Sequence, residues 1–252
     1  MTLKQILTGF LFTLLGISIA SADTLGFRVG GGIWQPDGEG TFRHGADNFD
    51  LKNDLYLKDG EDQNYVYAFF EHPIPLIPNI RISQTSLAFD GAGTVGVGSH
   101  TFGSTDFAGT AVTSKMVLDH SDTTIYYSLL DNWFHLDLGL TAKKFDGKVS
   151  IIRASDGYTE TTNIDKTIQL LYVAAGIELP FINNLFFGIE SHILSVGDHT
   201  VRDITTKISY TTDYFIGFEA GIRTFIMELD NLNGNTSNME FTGSFANLYI
   251  HF

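Results

Sequence analysis

Few residues in this 252-residue chain combine type and spacing in a way that suits chemistry. Glu190 and His192 stand two apart, as do His135 and Asp137. On an extended strand that spacing puts both side chains on one face. Either couple could shuttle a proton or supply two ligands to a metal. Neither has an obvious nucleophile or third ligand beside it, which a catalytic or zinc site requires. Arg28, Arg81, Glu219 and Arg223 fall on polar strand faces in the same way. With the two couples they form eight candidates for a polar network inside a narrow enclosed lumen, where opposite charges neutralise one another. Glu219 and Arg223 lie about 13 Å apart along one strand, so their partners must come from other strands. The network is the reading carried forward, and no catalytic residue, cofactor-binding residue or metal ligand is assigned.

The elements that would hold these residues are strands. In Trp133–Lys143, Phe134, Leu136, Leu138, Leu140 and Ala142 oppose His135, Asp137, Gly139, Thr141 and Lys143. Tyr214, Ile216, Phe218, Ala220 and Ile222 oppose Gly217, Glu219, Gly221 and Arg223. Leu185, Phe187 and Ile189 oppose Gly188, Glu190 and His192, and Leu25, Phe27 and Val29 oppose Gly26, Arg28 and Gly30. A period of two marks a strand with one apolar and one polar face.

That pattern suits a soluble sandwich as well as a membrane barrel. Two features favour the barrel: the polar faces are glycine-rich with isolated charges, and aromatic pairs gather at strand ends (Trp133-Phe134, Phe186-Phe187, Tyr214-Phe215), where an interfacial girdle belongs. The connectors agree. Short ones (His72–Asn79, Asp131-Asn132, Pro180–Asn184, Thr211–Asp213) alternate with mostly longer polar ones (Gln35–Gln63, Gly91–Ser114, Gly147–Asp165, Gly197–His199, Asp230–Asn238). Transmembrane barrels alternate short periplasmic turns with longer external loops in this way. Pro73, Pro75, Pro78 and Pro180 fall in proposed turns and Pro36 in a proposed loop, with none inside a strand. The reading is a single all-β, antiparallel up-and-down barrel. It has ten strands, near 24–34, 64–72, 79–90, 115–130, 133–146, 166–179, 185–196, 200–210, 213–228 and 239–252, or eight if two are misread. The eighth has the fewest apolar members: Ile204, Ile208 and Tyr210.

Composition excludes several functions. The chain has no cysteine, so it holds no disulfide framework, thiolate site or cysteine nucleophile. Its formal charge of −14 disfavours nucleic acid, whose phosphates would be repelled. Residues 1–22 carry one charge, Lys4, then an apolar run from Ile6 that closes on Ala20-Ser21-Ala22. This reads as a cleaved signal peptide, which leaves residues 23–252 as the barrel domain.

The chain ends Ala246-Asn247-Leu248-Tyr249-Ile250-His251-Phe252, with Phe252, Ile250, Leu248 and Ala246 in one row at spacing two. This ending resembles the C-terminal signature of bacterial outer-membrane proteins. Leu248, Ile250 and Phe252 would then be the signal read by the barrel-assembly machinery. Ala246 departs from the bulky residue usual in that row. Together with Leu25-Gly26-Phe27-x-Val29-Gly30-x-Gly32-x-Trp34 and the Glu71-His72-Pro73-x-Pro75 turn, the ending is similar to a poorly characterised family of small Gram-negative outer-membrane β-barrel proteins. The resemblance implies the fold, export through the periplasm and an outer-membrane location among lipid and lipopolysaccharide, without an activity or a cofactor. Two functions follow: a non-enzymatic barrel with a largely plugged polar lumen (structural, narrow-channel or surface-interaction), or a lipid- or envelope-modifying enzyme with an active site at the rim. The first is preferred. The segment with Asp37, Glu39, Asp47, Asp50, Asp54, Asp59, Glu61 and Asp62 could bridge divalent cations to lipopolysaccharide phosphates. It lacks an EF-hand spacing and is read as a solvated acidic loop. Asn235-Thr236-Ser237 reads as polar loop.

Overall fold

The computed structural model describes residues 26–251 apart from Pro75, Pro180, Phe181, Asn183 and Asn233. The expected signal peptide, Leu25 and Phe252 lie outside the described residues. The first strands are β1 (Gly26–His44), β2 (Asn48–Asp50), β3 (Gln63–Glu71), β4 (Asn79–Thr85), β5 (Ala88–Thr94), β6 (Thr101–Phe102) and β7 (Thr105–Asp106). They are followed by β8 (Ala111–Asp131), β9 (Phe134–Arg153), β10 (Thr159–Glu178), β11 (Leu185–Val196), β12 (His199–Thr211), β13 (Ile216–Leu232) and β14 (Asn235–His251). The described residues contain no helix.

Successive strands pair antiparallel, and β1 pairs with β14 from Arg28↔His251 to His44↔Asn235, which closes the sheet. β4 and β5 are two halves of one stave. Both pair with β8 in the same register, and between them the Asp119 carboxylate accepts the Leu87 N–H at 2.8 Å in place of a main-chain carbonyl. The barrel therefore has ten staves, and β2, β6 and β7 lie outside the count.

The staves run much further than the alternation of one apolar face suggests, because that face changes sides partway up. Low on β9, Leu136, Leu138 and Leu140 face outward, and Thr141 and Lys143 face the lumen. From Lys144 upward, Lys144, Asp146 and Lys148 face outward, and Phe145, Val149 and Ile151 are buried inside. On β13 the outward Ile216, Phe218 and Ile222 give way to inward Phe225, Met227 and Leu229. On β14 the outward Leu248 and Ile250 give way to inward Phe241 and Met239. The lower storey has an apolar exterior, as hydrocarbon requires. The upper storey has a polar exterior and an apolar core, as water requires.

Much of what reads as long loop is thus strand. Gln35–His44 continues β1, Gly147–Arg153 and Thr159–Asp165 continue β9 and β10, and most of Asp230–Asn238 belongs to the β13–β14 hairpin. Pro36 is corrected with them. It lies inside β1, opposite Gly243. In an antiparallel strand the N–H and C=O of one residue point the same way, and the Pro36 carbonyl accepts from Gly60 N at 3.2 Å, away from β14. The missing N–H therefore costs no bond in the closing ladder.

Two true loops remain at the upper end, 45–62 and 95–110, and both fold into the mouth. Phe49, Leu51 and Leu55 of the first and Phe102 and Phe107 of the second are fully buried against the upper core. Above Leu171, β10 has no ladder partner on the β11 side. There Asn235 accepts from Thr162 Oγ1 at 3.1 Å and donates to the Asn163 carbonyl. The exposed Lys166 adds a charge of the kind that discourages strand addition at an open edge.

Candidate functional site: the filled lumen

Three layers fill the lumen. The lowest is aromatic. Tyr67, Tyr126, Tyr172 and Tyr249 are buried in the lower storey, and glycines on neighbouring strands make room for them. A Cβ on Gly217 would stand 2.0 Å from Cζ of Tyr249, and one on Gly30 would stand 2.6 Å from Cζ of Tyr67. Tyr249 is held by a 2.6 Å hydroxyl–hydroxyl bond to Thr211, and Tyr126 donates to Glu71 at 2.6 Å.

The middle layer is ionic. Lys143, on β9, is fully buried and donates to Asp122 on β8 at 2.8 Å and to Asp203 on β12 at 2.9 Å. Arg223, on β13, grips Asp203 with two donors, Nε at 2.9 Å and Nη2 at 2.7 Å, and gives Nη1 to Thr85 at 3.0 Å. Arg81 and Lys207 both bond Glu190, and Lys207 also reaches Glu219 at 2.9 Å. Asn247 donates to Glu219 at 2.8 Å and Tyr65 accepts from Arg81 at 2.6 Å. Four cations (Arg81, Lys143, Lys207, Arg223) thus meet four carboxylates (Asp122, Glu190, Asp203, Glu219), and the layer carries no net charge. Charge balance with every ion hydrogen-bonded is what allows eight ionised groups to leave bulk water.

Two histidines lie among these ions, and the bonds of His120 make it a neutral spacer. His120 Nδ1 lies 2.9 Å from the Leu118 carbonyl and must donate to it. Nε2 is then left to accept from Arg223 at 3.2 Å. His192 exchanges a 2.8 Å bond with Thr141, which bonds Thr124 in turn. His120, Asp122 and Asp203 place ligand atoms within 4.8 Å of one another, a spacing that suits a metal. The Lys143 ammonium already stands between the two carboxylates as their cation.

The third layer is the apolar core of the upper storey. Trp34 joins the two, with the Arg223 guanidinium 4.7 Å from its ring centroid. A gap of about 20 Å³ beside Trp34, Tyr65, Arg81, Glu219 and Asn247 has room for a water.

Of the eight residues singled out from sequence, Arg81, Glu190, Glu219 and Arg223 meet in the ionic layer, and His192 sits at its edge. The other three lie nearer the lower mouth. Arg28 is stacked over Tyr249 at 4.8 Å and Phe69 at 5.7 Å. His135 pairs with Asp131 at 3.0 Å and Glu178 at 3.5 Å, and Asp137 faces inward opposite Ser128. Glu219 and Arg223 both take partners from β12, not from each other. Sequence reasoning missed Asp122, Asp203, Lys207 and Asn247, and it placed Lys143 on a polar strand face without including it in the network. For Asp203 and Lys207 a signal existed, since they alternate with Ile204 and Ile208 on the strand with the weakest apolar face.

A closed ten-stave barrel with an apolar lower exterior and a filled lumen defines the class: an integral β-barrel of the outer-membrane type. Among solved structures, the chain is similar to Ail, the attachment invasion locus protein of Yersinia pestis, crystallised with the heparin analogue sucrose octasulfate. That likeness has a TM-score of 0.35 and 8% identity over 90% of this chain and 99% of that one. The translocator domain of the autotransporter NalP from Neisseria meningitidis matches with a TM-score of 0.38 and 11% identity, over 99% and 96% of the two chains. The Pseudomonas putida toluene transporter TodX matches with a TM-score of 0.37 and 8% identity, over 91% and 90%. Likeness at this level concerns architecture alone. No family model matches the chain, and no curated protein does.

Proposed function

We propose that this protein is a non-enzymatic, non-conducting barrel of the outer membrane, a closed body that stands on the cell surface in a structural or surface-interaction role. The observation that carries this reading is the filling of the lumen by described residues at three successive levels, aromatic, ionic and apolar. In this orientation the short turns face the periplasm, and the upper storey with its two folded-in loops faces outward among the lipopolysaccharide headgroups. Leu248, Ile250 and Phe252 serve as the assembly signal, and residues 1–22 as the export signal. Planar-bilayer recording of the purified protein tests the sealed lumen. No stable porin-like steps are expected from the wild type, and leakage is expected after Arg223→Ala opens the ionic layer. Large, steady wild-type conductance would overturn the reading, and turnover of phospholipid or peptide substrate would overturn the non-enzymatic part.

A further inference from the structure

The four turns at the lower end are apolar at their tips. Ile74, Leu76, Ile77, Trp133, Ile182 and Tyr214 are all exposed, Leu76 at 91% and Tyr214 at 83%. Solvated turns are usually polar, with glycine, asparagine or aspartate where the backbone turns left-handed. Here Leu76 itself adopts φ +70°, a conformation that is costly for a bulky residue. The turn is braced around it: Tyr127 donates to the Leu76 carbonyl at 2.9 Å, and His72 N donates to Asn79 at 3.1 Å. Charge is scarce. Residues 72–79 and 179–184 contain no Asp, Glu, Lys or Arg. Of the carboxylates at the other two turns, Asp131 is paired with His135, and Asp213 accepts from Asn184 at 3.3 Å.

We infer that these turns are embedded in the periplasmic leaflet of phospholipid. The inference rests on reading the chain as a membrane barrel. Strand length decides where the missing hydrophobic height lies. The outward apolar row of β9 runs from Phe134 to Ala142, about 27 Å along the strand at roughly 3.3 Å per residue. Tilted by about 40°, it covers only ~20 Å of an apolar band that measures ~25 Å in such barrels. The shortfall cannot be met from above, where the next outward residues are Lys144, Asp146 and Lys148. It can be met from below, where the exposed Trp133 and the other apolar turn tips lie beyond the end of that row.

The chain has no cysteine, so single cysteines can carry an environment-sensitive fluorophore in the full protein reconstituted in phosphatidylcholine vesicles. Leu76→Cys and Trp133→Cys report the turns, Leu138→Cys the mid-belt and Lys148→Cys the upper exterior. Iodide on both sides of the membrane and spin-labelled phosphatidylcholine serve as competing quenchers. The turn probes should be quenched by the lipid and several-fold less by iodide than the Lys148 probe. Iodide quenching of both turn probes at the Lys148 level, with Leu138 still protected, would overturn the inference alone. Iodide access at Leu138 as well would overturn the membrane-barrel reading with it.

Discussion

Replacing Lys143 by methionine keeps the length of the side chain and deletes its charge. In the native lumen this ammonium is fully buried and bridges Asp122 and Asp203 at 2.8 and 2.9 Å. The two carboxylates do not lose equally. Asp203 keeps the two-pronged grip of Arg223, whereas Asp122 has no second cation among the described residues. Breaking a buried pair by removing one partner costs about 3–5 kcal/mol, and most of that should fall on Asp122. Lys143→Met should therefore lose about that much unfolding free energy, whereas Asp122→Asn/Lys143→Met, which removes the stranded charge, should recover a large part of it. The assay is urea unfolding in lipid vesicles, with both single variants and the double variant closing a cycle. A chelator is present, because His120, Asp122 and Asp203 are close enough together to take up a divalent ion once the ammonium is gone. A Lys143→Met protein within about 0.5 kcal/mol of wild type, the range of an ordinary surface substitution, would refute the charge-balanced lumen.

Leu138→Arg and Ile216→Arg should each destabilise the barrel in vesicles by about 2–4 kcal/mol if they lie at the midplane, and unchanged stability would place those faces away from lipid. Lumenal Thr141 is no safer for a charge, since it is buried between Thr124 and His192; Thr141→Lys should be at least as costly in the same titration. Gly217→Ala should cost about 1–3 kcal/mol by overpacking against Tyr249, and the loss should shrink when Tyr249→Leu is added. Asp47 accepts from Thr101 N at 2.8 Å and Ser99 Oγ at 2.7 Å, which hold its carboxyl below the ordinary range. A depressed folded pKa means that its contribution is complete above the unfolded value, about 3.9, and is lost as pH falls through the folded one. Proteolysis of loops 45–62 and 95–110 should accelerate below about pH 4 with the staves intact, and Asp47→Asn should flatten that profile. Deleting Phe252 should lower outer-membrane levels without altering the spectrum of any protein that does insert; normal levels would remove its assembly role.

The period-two alternation in Trp133–Lys143, Leu185–Ile193 and Tyr214–Ile226 was enough, without any structure, to make the chain all-β. The even count of strands, the short lower turns and the lumenal side of residues such as Glu190 and Arg223 are legible in the same sequence. Each is a local property: side-chain direction follows from residue parity along a strand, and parity is countable. What the alternation could not supply was where the strands end. Parity continues unbroken through Lys143, Lys144 and Phe145, but the medium outside the barrel changes from hydrocarbon to water, and the apolar row passes from the outer face to the inner one. A pattern test that expects one face to stay apolar takes that exchange for a loop, which is why Gln35–His44 and Gly147–Asp165 looked like connectors. Partnership within the lumen was equally out of reach. Lys143 stands directly opposite Asp122 on the neighbouring stave β8, in a register shifted by the irregularity between Ser128 and Leu130, and it meets Asp203 because β12 is brought level with that pair across the lumen. That level is set by the stagger of the strands and by closure of β1 on β14, which no single strand encodes.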